Sequence, residues 1–141
     1  MSVSNFQFRR PLLMDVNFHR NEGISVKEKV DPVLHLLHQV YKIEGKDNEA
    51  VVELTLQINK QEDKLIERAP YWLEVKYGAM FEWKDGDDEK LIQNYLNINA
   101  PAMLLSYIRP VVAQLTSASP FGTYHVPFIN MAELLGKKDD E

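Results

Sequence analysis

The sequence predicts an α+β fold in which the strands of an antiparallel sheet come first and the helices follow. Up to Lys84 apolar and polar side chains alternate with period two, which is typical of strands buried on one face. Beyond Asp85 the apolar residues recur at helical spacing. Strands grouped before helices favour helices packed on one face of the sheet. The 141 residues fit one domain.

The first two candidate strands differ in how clearly their residue patterns predict a strand. Residues 12–19 alternate cleanly, and Pro11, which has no N–H, indicates a sheet edge or a bulge just before them. Residues 20–31 are polar and predict a loop. The apolar run 33–43 fits a strand or a short helix, and the pattern alone does not choose between them.

Two further strands are predicted from strict alternation. From 49 to 61 one face carries Val52, Leu54, Leu56 and Ile58. From 69 to 84 one face carries Tyr71, Leu73, Val75, Tyr77, Ala79, Phe81 and Trp83, and the other carries Trp72, Glu74, Lys76, Gly78, Met80 and Glu82. Polar turns between neighbouring strands indicate an antiparallel meander.

The helical part is predicted in three pieces. Asp87 or Asp88 caps a first helix, and Asn99-Ala100-Pro101 is expected to interrupt it because proline disfavours helix at the preceding residue. A second helix over 101–116 carries a broad apolar stripe and should kink at Pro110. Asn130 caps a last helix that Gly136 ends. The domain is therefore expected over 1–136, with a disordered charged tail at 137–141.

Composition excludes several functions. The net charge of −5 and pI near 5.4, with scattered basic residues, do not suit nucleic-acid binding. The absence of cysteine excludes disulfides, thiolate nucleophiles and cysteine-bound zinc. We see no signal peptide and no apolar run near the roughly 18 residues that span a bilayer, so no direct membrane insertion is expected.

The sequence contains few residue patterns that would support catalysis or metal binding. On a helix His35 and His38 would share a face and could bind a metal, but on a strand they point to opposite faces. The acidic run 85–89 lacks calcium-loop spacing and is better explained as a solvated turn with a helix cap. No Gly-x-Ser-x-Gly elbow or glycine-rich phosphate loop occurs. We therefore expect no enzyme, no metal and no cofactor.

Trp72 and Met80 are apolar residues on the polar face of the last predicted strand. A helix or a second subunit could cover them. Alternatively they form an exposed apolar surface for another polypeptide, a role that adaptable methionine and aromatic side chains suit. The sequence leaves both interpretations open.

The run from Asn99 to Arg109, with Pro101, small apolar residues and then Tyr107, resembles the kinked helix of the SecB export chaperones. The likeness continues through 115–117 and 126–131, where a proline-rich crossing segment leads into a short last helix. Upstream, 71–81 resembles the family's last strand, and 6–10 with 15–18 its first.

This resemblance implies a four-stranded antiparallel sheet with a long kinked helix and a short C-terminal helix on one face. It also implies a cytoplasmic homo-oligomer, a dimer of dimers. Dimers would form by sheet pairing through the first strand. Dimers would then pair through the long helices, at Tyr107, Ile108 and Val111.

The resemblance further implies an ATP-independent chaperone that binds unfolded preproteins in apolar grooves and delivers them to the translocase motor SecA. The matching groove positions are Tyr71, Val75 and Phe81. The positions that match the SecA-binding surface are Asp15, Trp72 and Glu74.

This chain departs from the family pattern in three places. His19 stands where the first strand has a second acidic residue, Pro110 stands where an acidic residue is common, and the long acidic tail is nearly absent. Some SecB-like proteins serve a single partner such as an antitoxin, and others are SecB-like domains of unassigned function. A dedicated binder of one client is therefore the alternative, and a small-molecule binder or enzyme using the cavity between sheet and helix is a third.

Overall fold

The structure of the chain is a computed structural model that describes residues 1–25 and 31–135. Its strands are β1 (Gln7–Phe8), β2 (Leu12–Arg20), β3 (Leu34–Lys42), β4 (Glu49–Ile58), β5 (Lys60–Gln61), β6 (Lys64–Leu65) and β7 (Tyr71–Glu82). Its helices are α1 (Glu89–Asn94), a π-helical segment (Tyr95–Asn99), α2 (Ala100–Ser117) and α3 (Met131–Leu134). The predicted α+β class, with strands before helices, is confirmed.

The main sheet has the order β1/β2, β7, β4, β3, and every pair is antiparallel. Because β4 occupies one side of β7, β1 and β2 lie along the other side as one interrupted strand. Pro11 lies at the interruption, and the register shifts between Leu13 and Asp15. The edge position and the bulge thus explain how a proline is tolerated there. The sheet is four-stranded in effect, as expected.

The ambiguous run at 33–43 forms strand β3, which pairs with β4 from Leu34 opposite Ile58 to Lys42 opposite Ala50. His35 lies opposite Gln57 and His38 opposite Leu54, so the two histidines lie on opposite faces of the sheet. His38 Nε2 is 3.0 Å from the carbonyl oxygen of Leu96 on the helix side. The pairing partner, and not the local pattern, therefore decides the secondary structure of this run.

A short hairpin, β5–β6, follows β4 where the sequence indicated only a polar turn. Asn59 at its base has a φ of 62° and is 1% exposed. Its side chain donates to the Tyr71 carbonyl and accepts from the Val33 amide, both at 3.0 Å. Asn59 thus joins the residue before β3, the first residue of β7 and the hairpin, although alternation along 49–61 puts it on the face opposite Ile58.

The helical part is continuous, so the predicted interruption at Asn99-Ala100-Pro101 is wrong. Asp88 caps α1 by accepting from the Lys90 amide at 3.3 Å. The wider π turn that ends just before α2 accommodates the missing N–H of Pro101 without ending the helix. Pro110 lies within α2 on its exposed side.

The end of the chain is described only as far as Leu135. Asn130 caps α3 as predicted, by accepting from the Glu133 amide at 3.2 Å. The predicted stop at Gly136 and the tail at 137–141 lie outside the described residues. No helix within the described ranges has the length and apolar character that crossing a bilayer requires.

The core lies between α2 and the two central strands, β4 and β7. Alternate residues of β4 point towards the helix and are fully buried. One face of α2 packs on them, with the buried residues Ala100, Pro101, Leu104, Leu105, Ile108, Val112 and Thr116. Each large side chain buried in this way contributes roughly 1.5–3 kcal/mol.

Leu104 tests this packing because it is 0% exposed at the centre of the helix face. Leu104→Ala should lower the free energy of unfolding by about 2–5 kcal/mol, through lost apolar burial and a residual cavity. Leu91→Ala, at a residue 39% exposed on α1, is the matched control and should change it by about 0.5 kcal/mol or less. Urea denaturation measures both, and equal effects would contradict the assigned helix face.

Candidate functional site

Aromatic rings line the helix-facing side of β7 along its whole length. Tyr71, Tyr77 and Phe81, which we call the aromatic row, have the same parity on this strand. Tyr71 and Phe81 are 5% and 1% exposed, and Tyr77 is half-buried between them. Each of the three contacts a ring from another part of the chain, so the row is covered by elements outside the sheet centre.

At the first end of the row, Tyr71 is covered by two rings. Phe18 of β2 stacks on it with ring centroids 5.4 Å apart. Phe121 lies against it at 6.5 Å with the rings tilted by 56°. Phe121 belongs to residues 118–130, which we call the crossing segment because they connect α2 to α3. One cover of Tyr71 is therefore a sheet residue, and the other is part of a segment without regular structure.

The crossing segment is fixed to α2 by a few polar contacts. The Tyr124 amide donates to Thr116 Oγ1 at 2.8 Å, and Arg109 Nε donates to the Val126 carbonyl at 2.9 Å. The Arg109 guanidinium also lies 5.0 Å from the ring centre of Phe128, a cation–π arrangement. The segment is thus held at two points along the helix.

At the opposite end of the row, Phe81 is covered by the N-terminal segment. Phe6 stacks on Phe81 at 5.2 Å and on Tyr95 at 4.5 Å, so its ring lies between the two. Phe8 contacts Phe81 at 6.3 Å with tilted rings. In the middle, Tyr107 of α2 lies 5.8 Å from Tyr77 and is 39% exposed, so the row approaches the surface there.

The predicted groove residues are therefore core residues in this structure. Tyr71, Val75 and Phe81 share one face of β7, as alternation predicted, but none of them is more than 5% exposed. The physical reason is that α2, Phe6 and the crossing segment lie over this face. Their assignment to a client-binding groove stays a prediction, and it requires one of these covers to move.

The predicted SecA surface lies on the opposite side of the sheet. Asp15, Asn17 and His19 of β2 stand opposite Lys76, Glu74 and Trp72 of β7. Asp15 is exposed, whereas Trp72 and Glu74 are half-buried. The structure thus brings the three predicted residues, Asp15, Trp72 and Glu74, to one face, but nothing in the chain tests their role.

Two of these side chains already have partners within the chain. Glu74 accepts from Gln57 Nε2 at 2.7 Å and lies 3.6 Å from Lys60 Nζ. The Trp72 indole donates to the Ile66 carbonyl at 3.2 Å. A partner protein that binds this face would therefore compete with existing contacts of Glu74 and Trp72.

An acidic depression occupies the middle of this outer face. It measures about 550 Å³, and its charged lining residues are Asp15, Glu53, Glu62, Glu74 and Lys76. Lys76 Nζ lies 2.9 Å from a Glu53 oxygen, and this hydrogen bond raises the pKa of the lysine. Four carboxylates and one ammonium leave the depression negative, which favours a basic partner.

Gly78 allows the close packing beside this depression. A Cβ at this position would meet Met14 Sδ at 2.6 Å, which is too short for any real contact. Met14 therefore lies over the strand at this point, and a Cβ at position 78 would displace its flexible, 53% exposed side chain.

The predicted oligomer residues on α2 divide into two groups. Tyr107 is 39% exposed and Val111 is half-buried, so both reach the outer side of the helix. Ile108 is 0% exposed and points into the core, because it lies on the stripe that packs on the sheet. Its place in the predicted helix–helix interface stays a prediction, and it would require this side chain to leave the core.

Sequence reasoning missed the role of Phe6, Tyr95 and Phe121 as covers of the aromatic row. No local pattern reveals such contacts, because each joins residues far apart in the chain. Within the described ranges, no cluster of three or more His, Asp or Glu residues could hold a metal ion.

The fold defines a class of proteins in which one helix closes one face of an antiparallel sheet. It matches the solved SecB-like chaperone Rv1957 of Mycobacterium tuberculosis, which is in complex with a ChAD peptide from the Rv1956 HigA1 antitoxin. The TM-score is 0.69 at 16% identity, over 89% of this chain and 91% of the other. At that identity the match concerns the fold alone.

The sequence comparison identifies the family. The model of the SecB family, preprotein translocase subunit SecB, matches residues 2–141, so this chain belongs to the SecB family. The suspected resemblance is therefore confirmed.

Individual relatives differ in how much of their length is matched. A protein-export protein SecB from Anaplasma marginale (strain Florida) is 33% identical over 70 residues, 49% of this chain and 39% of that protein. Another, from Alcanivorax borkumensis, is 28% identical over 138 residues, 96% of this chain and 87% of the relative. The match to the Anaplasma marginale relatives thus spans about two fifths of their length, 39%.

The burial of Tyr71 predicts a pH dependence of stability. Burial, with a smaller effect of Tyr124, raises the pKa of Tyr71 above its ordinary value near 10. The folded state then keeps the phenol proton at a pH where the unfolded state releases it. This contribution is fully present below about pH 10 and is lost as the pH rises through the folded-state pKa.

Tyr71→Phe removes this proton and keeps the ring. Its free energy of unfolding should therefore fall less steeply between about pH 9 and 11 than that of the parent chain. Urea denaturation at fixed ionic strength measures both slopes. Identical slopes would show that the Tyr71 phenol stays accessible to water in the folded state.

Proposed function

We propose that this protein is an ATP-independent molecular chaperone that binds unfolded polypeptides, preproteins among them, in the cytoplasm. The observation that carries the proposal is the aromatic row, whose two ends lie under segments of the chain that belong to neither the sheet centre nor α2. Membership of the SecB family supports it. The SecB family consists of chaperones and contains no known enzymes, which fits a protein that binds without catalysis.

Apolar burial supplies the affinity in this proposal. A Phe or Tyr ring offers about 150–250 Å² of surface, and its burial contributes roughly 25 cal/mol per Å². Association and ordering of the client cost part of that gain. A protein that binds only unfolded chains holds them by mass action, so nucleotide hydrolysis has no necessary part in binding.

Access to the row requires a cover to move, and the crossing segment is suited to this. It has no regular secondary structure, and its side chains Pro127 and Phe128 are exposed. Phe128 is 93% exposed and is therefore itself a contact for an apolar client. Segments without regular secondary structure open at lower free energy than packed strands and helices, so we place the entrance for the client at this end of the row.

Exposed apolar residues on the edge strand support a homo-oligomer. Leu12, Leu13 and Met14 of β2 are 58%, 49% and 53% exposed. Within the described residues β2 pairs only with β7, so its other edge is open to a second subunit. Pairing of two such edges would form a dimer, and contact through Tyr107 and Val111 on α2 would join two dimers.

The holdase activity can be tested by size exclusion with light scattering, with and without a chemically unfolded client. We expect a particle near four subunits that keeps the client in a soluble complex. Tyr77→Ala should weaken client binding at least about fivefold, because it removes a ring of the row. Tyr41→Ala, on the opposite face and 47% exposed, is the matched control and should leave binding unchanged. A client that aggregates equally with and without the protein would rule out the proposal.

We further propose that the outer face, with Asp15, Trp72 and Glu74, hands clients to SecA. The acidic depression beside these residues supports an interaction with a basic surface. Trp72→Ala and Glu74→Lys should each weaken SecA binding at least about fivefold while the far-UV circular dichroism spectrum stays unchanged. Gln114→Ala, exposed on α2 on the other side of the sheet, is the control. Normal SecA binding by both test variants would remove the assignment.

A second candidate function is that of a dedicated chaperone for one partner such as an antitoxin. The solved SecB-like chaperone of matching fold, bound to an antitoxin peptide, favours it. The breadth of clients separates the two functions. Capture of several unrelated unfolded proteins supports the general chaperone, and capture of a single partner supports the dedicated one.

A further inference from the structure

The rings that flank Phe6 form a slot for one aromatic side chain. Phe81 and Tyr95, which we call the ring slot, contact Phe6 from its two sides. The interplanar angles are only 10° and 13°, so the three rings are nearly parallel. One wall belongs to β7 and the other to the π-helical segment, so the chain that carries Phe6 does not build the slot.

The chain that carries Phe6 is lightly attached. Residues 1–5 are exposed, and β1 contributes only the pairs Gln7–Glu82 and Phe8–Phe81. One further backbone bond, from the Arg9 amide to the Met80 carbonyl, measures 2.9 Å. Pro11 and the exposed Arg10 separate this strand from β2, so it can detach without opening the longer edge strand.

The polar contacts of this segment add little to its attachment. The Arg9 guanidinium lies 3.4 Å from Glu49 and 3.6 Å from Glu82, but the Arg9 side chain is 60% exposed. Exposed ion pairs of this kind contribute about 0–1 kcal/mol. Gln7 Nε2 donates to the carbonyl of Ser4 within the same segment. A cleft of about 400 Å³ also lies between residues 3–7 and the ends of β4 and β7.

These observations lead to one inference, which rests on the function proposed above. We propose that Ser4–Arg9 is a built-in competitor of the client: Phe6 fills the ring slot until an extended client segment replaces it and pairs with the edge of β7. The segment therefore closes the Phe81 end of the aromatic row, as the crossing segment covers the Tyr71 end.

The displaced segment itself defines the chemistry of the client. It places Phe6 and Phe8 two positions apart, so both rings lie on the helix-facing side, with polar Gln7 between them. A basic residue follows and meets Glu49 and Glu82. We therefore expect the slot to bind extended client segments in which two aromatic residues occupy alternate positions and a basic residue follows. Such a segment would add as a strand to the edge of the sheet.

Competition by the segment lowers the apparent affinity of the client. The apparent dissociation constant equals the intrinsic one divided by the fraction of molecules in which the slot is open. If that fraction is about one in ten, releasing the segment tightens client binding about tenfold.

A reversible covalent lock tests the inference. Gln7 and Glu82 are directly opposed in an antiparallel pair, at a Cα separation of about 4.5–5.5 Å that a disulfide can bridge. The chain has no cysteine of its own, so Gln7→Cys with Glu82→Cys introduces the only thiols. The oxidised protein should bind an unfolded client carrying the aromatic–polar–aromatic–basic pattern at least tenfold more weakly than the same protein after reduction.

A second arm uses the segment as a free ligand. A fluorescent peptide with the sequence of residues 4–10 should bind Phe6→Ala about tenfold more tightly than the parent chain. Val3→Ala, at a residue 76% exposed outside the slot, is the matched control and should behave like the parent. A peptide with both phenylalanines replaced by alanine should bind neither variant.

Each outcome decides the inference. Weak client binding when oxidised, restored by reduction, together with peptide binding to Phe6→Ala, supports it. Equal client binding in both redox states overturns it and leaves the proposed chaperone function intact. If neither redox state binds any unfolded client, the proposed function fails and the inference fails with it. Disulfides that join two chains on a non-reducing gel would show that a second copy occupies the slot, which also overturns it.

Discussion

The packing of the apolar face of α2 on β4 and β7 is the constraint on which the rest of the structure depends. Among the described strands of the main sheet, only these two have neighbours on both sides, and their helix-facing residues are almost fully buried. A sheet of this kind has one apolar face, and the fold is stable only if that face is packed against another element and kept away from water. Because a single long helix covers the centre, both ends of that face need other covers, and short segments of the chain provide them.

The two faces of β7 therefore have different physical characters. On the helix side, the aromatic row gains its stability from ring contacts and exclusion of water. On the outer side, buried and half-buried polar groups are joined in pairs, such as Glu74 with Gln57 and Glu53 with Lys76. Pairing offsets the cost of burying these groups, because an unpaired polar group in a low-dielectric site costs several kcal/mol. One strand thus presents an apolar surface to one side and a fixed acidic surface to the other.

In the proposed function the same rings serve stability and binding. An aromatic row left open in water would promote aggregation, so the chain covers it with its own Phe6 and Phe121. These covers make contacts like those that an unfolded client would make. Client binding is then an exchange of one apolar contact for another, and its affinity depends on the difference between them. Because the covers are weakly attached, displacing them costs little free energy, and the difference favours binding of the client.

The sequence by itself determined the fold class and which residues share a face of β4 and of β7. It also determined the edge position at Pro11 and the helix caps at Asp88 and Asn130. Alternation, proline and capping act through neighbouring residues, so a local pattern is enough to predict their effects. The family likeness also came from sequence, through the run around Pro101. Tertiary structure alone decided that 33–43 is a strand, that the helix continues through Asn99, that Asn59 is buried and that Phe6 lies between Phe81 and Tyr95. These features depend on contacts between residues distant in the chain, and no local pattern encodes the energy of such contacts.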